Sequence, residues 1–198
     1  MNDRSLGKLD RQTVVPALVG NPSDFLIIAG LSGSAHDIGV LTNGKPNAYI
    51  LGGAMGAPIS MGLGLALAQP DFNILVVLGD GELLMNAGSL ATVAYMDPQN
   101  LSILCVDNGC YGETGNQVSA TVGSTDLELM ANGCGISNSC TVHTDADIKN
   151  GHELLRKSDS PTFVLVRVTN GPPPVYKRNF DGVEGKIAFR KHCLKGKN

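Results

Sequence analysis

Short runs of consecutive apolar residues recur along the chain, and segments with helical spacing separate them. Most runs are apolar at every position rather than at alternate positions, which is typical of strands that are covered on both faces of a parallel sheet. A weaker sixth run lies at 139–143. The five stronger runs lie at 25–29, 48–51, 73–78, 101–106 and 163–168.

Helical patterns fill the intervals between these predicted strands. The regular alternation of strands and helices predicts one domain of the α/β class, in which a doubly wound, mostly parallel sheet is flanked by helices. We find no repeat and no linker, so the domain is expected to extend over 1–198. The predicted helices lie at 10–19, 35–42, 57–69, 83–96, 125–132, 145–157 and 184–194.

The composition excludes some classes of protein. The chain has 15 Lys and Arg residues against 18 Asp and Glu residues, so it lacks the excess positive charge that holds a protein on nucleic acid. The uncharged stretch 49–68 has the length of a membrane span, but glycines and a proline divide it into a strand end, a turn and a helix. The polar N-terminus has no apolar signal segment, and the five cysteines include no Cys-x-x-Cys pair. A cytoplasmic protein without membrane contact is therefore expected.

The C-terminal segment 171–198 differs from the rest of the chain. It begins with Gly-Pro-Pro-Pro, and from residue 177 onward it carries seven Lys or Arg residues against two acidic residues. One interpretation is a solvated helix at the end of the domain. The other is a basic element that lies near an anionic substrate or against a partner subunit.

Polar residues follow two neighbouring strands at the point where each strand ends. Asp80 follows the strand 73–78, and Asn108 follows the strand 101–106. The carboxyl ends of parallel strands meet at one edge of a sheet, where α/β proteins bind their ligands. Carboxylate and amide oxygens are suited to Mg²⁺, and free N–H groups at Gly81 and Glu82 would favour an anion at the start of the next helix. The sequence therefore predicts a site for a metal ion and a diphosphate.

Two nucleotide-binding motifs are present only in part. The segment 79–84 follows a strand as a dinucleotide fingerprint does, but Leu84 stands where the third glycine belongs. The segment 39–45 has the spacing of a P-loop, but Pro46 replaces the hydroxyl residue that would bind Mg²⁺. A nicotinamide-dependent oxidoreductase is therefore disfavoured.

The segment Gly79-Asp80-Gly81, followed by 26 residues and then Asn108, resembles the cofactor motif of thiamine-diphosphate-dependent enzymes. The resemblance covers about residues 20–170 and corresponds to the diphosphate-binding (PP) domain of that family. Within the family the chain is most similar to the small β subunit of sulfopyruvate decarboxylase and to the matching half of phosphonopyruvate decarboxylase. Asp107 departs from the asparagine of many members, but the metal ligand of the family is the next residue.

This resemblance implies a role for individual residues. Asp80 and Asn108 would bind Mg²⁺ through their side chains, and Cys110 would bind it through its backbone carbonyl. Gly81 and Glu82 would bind the diphosphate through N–H groups, with Ser32, Gly33 and Ser34 on its other side. The carbonyl of Gly53 would hold the 4′-amino group, and Met55 would hold the cofactor in its bent form. The remaining expected cofactor contacts are Ala54, Gly79, Tyr111, Gly112, Glu113 and Thr114.

The resemblance also implies a reaction and a partner. The expected reaction releases CO₂ from an acidic 2-oxo acid, such as 3-sulfopyruvate, and yields an aldehyde. His36 and Glu113 are candidates for the acid that protonates the product. Members of this family need a glutamate from a pyrimidine-binding (PYR) domain, for which a PP domain of this length has no room. A PYR-domain α subunit is therefore the expected partner in a hetero-oligomer.

Three alternatives remain open at this point. The first two use the same cofactor for a different reaction. One is the decarboxylation of phosphonopyruvate, and the other is the transfer of the product onto an aldehyde. The third is a subunit that binds the cofactor without catalysis.

Overall fold

A six-stranded sheet forms the centre of the computed structural model, which describes residues 7–194. Its strands run parallel in the order β2-β1-β3-β4-β8-β7, and a separate pair, β5 and β6, is antiparallel. The predicted α/β fold with a parallel sheet is confirmed. The strands are β1 Leu26–Ala29, β2 Ala48–Ile50, β3 Ile74–Gly79, β4 Leu101–Asp107, β5 Cys110–Tyr111, β6 Gln117–Val118, β7 Asn138–Val142 and β8 Thr162–Arg167.

Helices cover both faces of this sheet. Alternate residues of each central strand face opposite layers. Leu26 and Ile28 belong to one apolar cluster, which includes residues of α3, α5, α6 and α8. Ile27 and Ala29 belong to a second cluster, which includes residues of α1, α2 and α7. Both faces are therefore buried, which explains why the strand segments are apolar at every position. The helices are α1 Arg11–Val19, α2 Gly33–Thr42, α3 Pro58–Ala68, α4 Asp80–Met85, α5 Ser89–Met96, α6 Leu127–Cys134, α7 Ile148–Leu154 and α8 Gly182–Leu194.

The prediction of a single helix over 83–96 is wrong. The structure divides this segment into α4 and α5, and α4 already begins at Asp80. Asn86 leaves the helical conformation at the end of α4, and its side-chain amide donates to the carbonyl of Gly56 at 2.8 Å. The side chain of Asn86 is thus bonded to the turn before α3 at the residue where α4 ends.

Helix α8 of the C-terminal segment packs on the sheet through Phe189 and Cys193, and most of its other residues are exposed. Phe189 of α8 is buried in the core, and its ring centroid lies 5.7 Å from that of Tyr49. Residues 1–6 and 195–198, which include part of the predicted domain and of its basic end, lie outside the described residues. Between residues 7 and 194 no helix is long and apolar enough to cross a membrane, and the stretch 49–68 forms β2, a turn and α3.

The sheet has a switch point beside its first strand. From β1 the chain moves outward to β2 and then returns to place β3 on the other side of β1. The connections on the two sides of β1 diverge there and leave a crevice at the carboxyl ends of the strands. The segments after β1, β3 and β4 border this crevice, as predicted for the ligand site.

Candidate functional site

A cleft of about 80 Å³ lies at the carboxyl ends of β1, β3 and β4. Every residue predicted to contact the cofactor lines it, except Gly53 and Ala54, which lie in the turn before α3. Five parts of the chain thus meet at one place. The lining residues are Arg11, Leu31, Ser32, Gly33, Ser34, Met55, Gly79, Asp80, Gly81, Glu82, Val106, Asn108, Cys110, Tyr111, Gly112, Glu113 and Thr114.

Asp80, the first residue of α4, is buried at the base of the cleft, with 1% of its surface exposed. The hydroxyl of Thr121 lies 3.3 Å from Asp80 Oδ2 and 2.8 Å from Asp107 Oδ1, so it can donate to only one of the two at a time. Burial, followed by the neighbouring Asp107 carboxylate, raises the pKa of Asp80 to about 6. Asp80 is therefore a carboxylate that a bound cation would stabilise.

The neighbouring carboxylate, Asp107, already has its own countercharge. Arg167 Nη1 lies 2.7 Å from Asp107 Oδ2, and both side chains are buried. The other carboxylate oxygen of Asp107 accepts the N–H of Gly109 at 2.9 Å and supports the turn that follows β4. Asp80, by contrast, forms no ion pair with any residue between 7 and 194. Of the two aspartates, Asp80 is therefore the one whose negative charge is not compensated, and it lies on the cleft side.

Asn108 and Cys110 occupy this turn. The amide oxygen of Asn108 accepts the N–H of Cys110 at 3.3 Å, and its amide nitrogen donates to Asn170 at 3.1 Å. A carboxylate, an amide oxygen and a backbone carbonyl form an all-oxygen donor set that suits Mg²⁺. Within the described part of the chain no three His, Cys, Asp or Glu side chains form a metal cluster, so a metal here would depend on the amide and carbonyl oxygens. These residues fit the predicted ion.

The side chain of Glu82 is buried beside the loop that follows β1. Its Oε2 accepts the N–H of Leu31 at 3.3 Å, whereas its Oε1 has no hydrogen-bond partner in the described structure. Burial raises the pKa of Glu82 to about 7, against the opposing effect of nearby backbone N–H groups. The sequence predicts a role only for the backbone of Glu82, and no local pattern indicates that its carboxyl group is buried with a raised pKa.

The structure gives a steric reason for the glycine at position 81 of the predicted diphosphate motif. A Cβ atom on Gly81 would lie 2.3 Å from the ring of Tyr111, which is closer than any van der Waals contact permits. Tyr111 therefore packs directly on the backbone at the start of α4. This contact joins the segments that follow β3 and β4.

The structure places the two acid candidates differently. Glu113 is exposed and lines both the cleft and an adjoining cavity of about 390 Å³, whereas His36 lines only that cavity. His36 Nδ1 lies 2.9 Å from the carbonyl oxygen of Pro174, which can only accept, so Nδ1 carries a hydrogen. A neutral His36 thus has Nε2 as an acceptor and must be protonated to act as an acid. Both assignments stay predictions.

Gly53 and Met55 occupy the turn before α3. The carbonyl of Gly53 accepts the N–H of Met55 at 3.0 Å and keeps a second lone pair for another donor. Met55 lines the cleft and Gly53 is exposed. The positions of both residues are compatible with the predicted contacts to the aminopyrimidine, which stay predictions.

Proteins of the α/β class with a parallel sheet bind their ligands in a crevice of this kind, at the switch point of the sheet. The sequence model of the family described as "Thiamine pyrophosphate enzyme, C-terminal TPP binding domain" matches residues 35–166. The chain belongs to this family of thiamine-diphosphate enzymes.

Named relatives agree with this assignment. The chain is 40% identical to "Sulfopyruvate decarboxylase subunit beta" of Methanocaldococcus jannaschii, over 86% of this chain and 94% of the relative. It is 35% identical to the protein of the same name from Methanothermobacter thermautotrophicus, over 89% and 91%. It is 34% identical to "Phosphonopyruvate decarboxylase" of Streptomyces viridochromogenes, over 76% of this chain and 37% of that protein. The predicted class, a thiamine-diphosphate-dependent carboxy-lyase, is confirmed by these relatives.

A solved structure supports the fold. The X-ray structure of a putative thiamin diphosphate-dependent enzyme isolated from Mycobacterium smegmatis superposes with a TM-score of 0.69. The match covers 81% of this chain and 32% of that one, at 18% sequence identity. At this identity the comparison confirms the fold alone.

Proposed function

We propose that this chain is the thiamine-diphosphate- and Mg²⁺-binding β subunit of a heteromeric 2-oxo acid decarboxylase that acts on sulfopyruvate or a similar acidic pyruvate analogue. The observation that carries the proposal is the meeting of Asp80, Asn108 and the backbone of Gly81 and Glu82 in one crevice at the sheet switch point. The relatives named as sulfopyruvate decarboxylase subunits supply the reaction and substrate.

The chain's own residues have defined tasks in this proposal. Asp80, Asn108 and the Cys110 carbonyl hold Mg²⁺, and the backbone of Gly81 and Glu82 holds the diphosphate. When bound, thiamine diphosphate supplies the nucleophile and the electron acceptor for release of CO₂. The raised pKa of the Cys110 thiol, caused by burial and then by Asp80 and Asp107, supports a role for its carbonyl rather than for a reactive thiolate.

A partner chain completes the site in this proposal. The chain matches relatives named as β subunits over 91–94% of their length, but matches the Methanosarcina acetivorans protein named "Sulfopyruvate decarboxylase" over only 41% of its length. We propose that a PYR-domain α subunit supplies what that longer relative has in one chain. The hetero-oligomer would place the cofactor between the two subunits in the cytoplasm.

Phosphonopyruvate is the second candidate substrate. The chain is 34% identical to a protein named as phosphonopyruvate decarboxylase, which lies within the range of 31–40% for the relatives named as sulfopyruvate decarboxylases. Both substrates are acidic three-carbon 2-oxo acids, so a single site can be expected to discriminate them by the size and charge of one end group. Product analysis is needed to separate them.

The test is turnover by the complex that the tagged chain forms in its own cells. We expect CO₂ and an aldehyde from 3-sulfopyruvate at a higher kcat/KM than from 3-phosphonopyruvate or pyruvate. Asp80→Asn should abolish turnover, whereas Asp97→Asn, at the exposed end of α5, should not change it. Turnover of phosphonopyruvate alone would select the second candidate. A cofactor-loaded complex that is inactive with and without an added aldehyde would show a non-catalytic subunit.

A further inference from the structure

A buried arginine lines the cleft without an assigned task. Arg11, at the start of α1, is 5% exposed and borders both the cleft and the adjoining cavity. It is the one Lys, Arg or His side chain among the described residues that line the cleft. Three acidic side chains, Asp80, Glu82 and Glu113, line the same cleft, so an anion that binds there meets little other positive charge from this chain.

Asp37 of α2 holds this arginine in a fixed orientation. Arg11 Nε lies 3.1 Å from Asp37 Oδ1, and Arg11 Nη2 lies 2.6 Å from Asp37 Oδ2. This paired contact uses one edge of the guanidinium. The five N–H groups of an arginine allow a second paired contact along the Nη1–Nη2 edge. Nη1 has no hydrogen-bond partner among residues 7–194, so this second edge is available to an anion.

The loop that follows β1 is shaped around this guanidinium. A Cβ on Gly33 would lie 2.2 Å from Arg11 Nη2 and 2.4 Å from Nη1, so only glycine lets the arginine reach this position. Gly33 is also the first residue of α2, and the preceding Ser32 makes no side-chain capping bond. The N–H groups of the first helical turn are therefore open to an anion beside the free guanidinium edge.

We propose that Arg11, oriented by Asp37, binds the diphosphate of the cofactor from the α2 side of the cleft, in addition to the metal on the Asp80 side. This inference rests on the proposed function, because it takes the diphosphate as the anion. Arginine suits this position, since its planar fork matches two oxygens of one phosphate. The buried Asp37 prevents the side chain from turning away when the cleft is empty.

The test measures binding of inorganic pyrophosphate to the full chain in Mg²⁺ by titration calorimetry, because this probe needs no partner subunit. Replacing the ion pair by apolar residues, Arg11→Met with Asp37→Leu, removes the guanidinium and leaves the net charge of the chain unchanged. Apolar replacement of a whole buried pair is commonly neutral for stability. We expect the Kd to rise roughly ten- to a hundredfold, the range for hydrogen bonds to a charged group.

Arg156→Met is the matched control, because Arg156 pairs with Asp24 and does not line the cleft. It should leave the Kd unchanged. If the double variant does not fold, Arg11→Lys keeps the charge, loses the paired geometry and should still weaken binding several-fold. If the double variant, or Arg11→Lys in its place, binds pyrophosphate with the same Kd as the wild type, the inference is wrong.

Failure of the inference and failure of the proposed function give different results. If the wild type binds pyrophosphate, Asp80→Asn loses binding and the Arg11 variants retain it, then Arg11 has no part in binding and the cofactor site stands. If the folded wild type binds neither pyrophosphate nor thiamine diphosphate in Mg²⁺, alone or in its complex, then the cofactor site itself is wrong.

Discussion

The buried carboxyl group of Glu82 makes the free energy of unfolding depend on pH, and one substitution removes this dependence. Burial raises its pKa from 4.5 to about 7, so the folded chain binds one more proton than the unfolded chain between these two values. Stability therefore falls as the pH rises through this window and stays at the lower level above it. A shift of this size corresponds to about 3 kcal/mol at pH 8 and about 1 kcal/mol at pH 5.

Glu82→Gln removes this titration and keeps the shape of the side chain. The Gln oxygen can still accept the N–H of Leu31. We expect the free energy of unfolding of the variant, relative to wild type, to rise by about 2 kcal/mol between pH 5 and pH 8. Urea unfolding followed by circular dichroism, in buffer with a chelator to remove metal ions, measures this difference.

Glu153→Gln provides the control, because Glu153 is exposed on α7 and its side chain is 64% accessible. Its stability relative to wild type should not change over the same pH range. If the difference in unfolding free energy between Glu82→Gln and the wild type is equally independent of pH, the pKa of Glu82 is not raised. The carboxylate would then be solvated in the folded chain.

Three further predictions follow from other parts of the structure. Arg167→Met should destabilise the chain by about 3–5 kcal/mol in urea unfolding, because it leaves Asp107 buried without its partner, and adding Asp107→Asn should restore much of the loss. Asp80→Asn should raise the melting temperature of the metal-free chain at pH 8, since the pKa of Asp80 is raised, while Mg²⁺-dependent pyrophosphate binding is lost in calorimetry. Phe163→Ala, at a fully buried position of β8, should cost about 3–5 kcal/mol in the same unfolding experiment, and a loss below 1 kcal/mol would contradict the packing.

The strands of the six-stranded sheet were predictable, whereas the short strands β5 and β6 were not. A strand that is buried on both faces is apolar at every position, and this pattern is visible in the sequence. Each central strand is a short apolar run, and the polar residues that follow β3 and β4 appear where the ladder between the two strands ends, at Gly79 and Val106. The edge strand β7 is only partly buried, and its segment was correspondingly the weakest signal. The meeting of Asp80 and Asn108 in one cleft follows from these two strands alone.

The remaining features depend on contacts between distant residues, for which no local pattern exists. The side chain of Asn86, between α4 and α5, bonds to Gly56, 30 residues away. The orientation of Arg11 depends on Asp37, 26 residues along the chain. In the sequence Arg11 is only the residue after the helix cap Asp10, and nothing in the pattern shows that it points into the cleft.

In the proposed function this chain is one half of a cofactor site that a second chain completes. The decisive experiment is native mass spectrometry of the tagged chain recovered from its own cells. We expect a complex with a second chain of similar domain size, whose mass includes Mg²⁺ and thiamine diphosphate. A homo-oligomer that stays free of both, even when both are supplied, would contradict it.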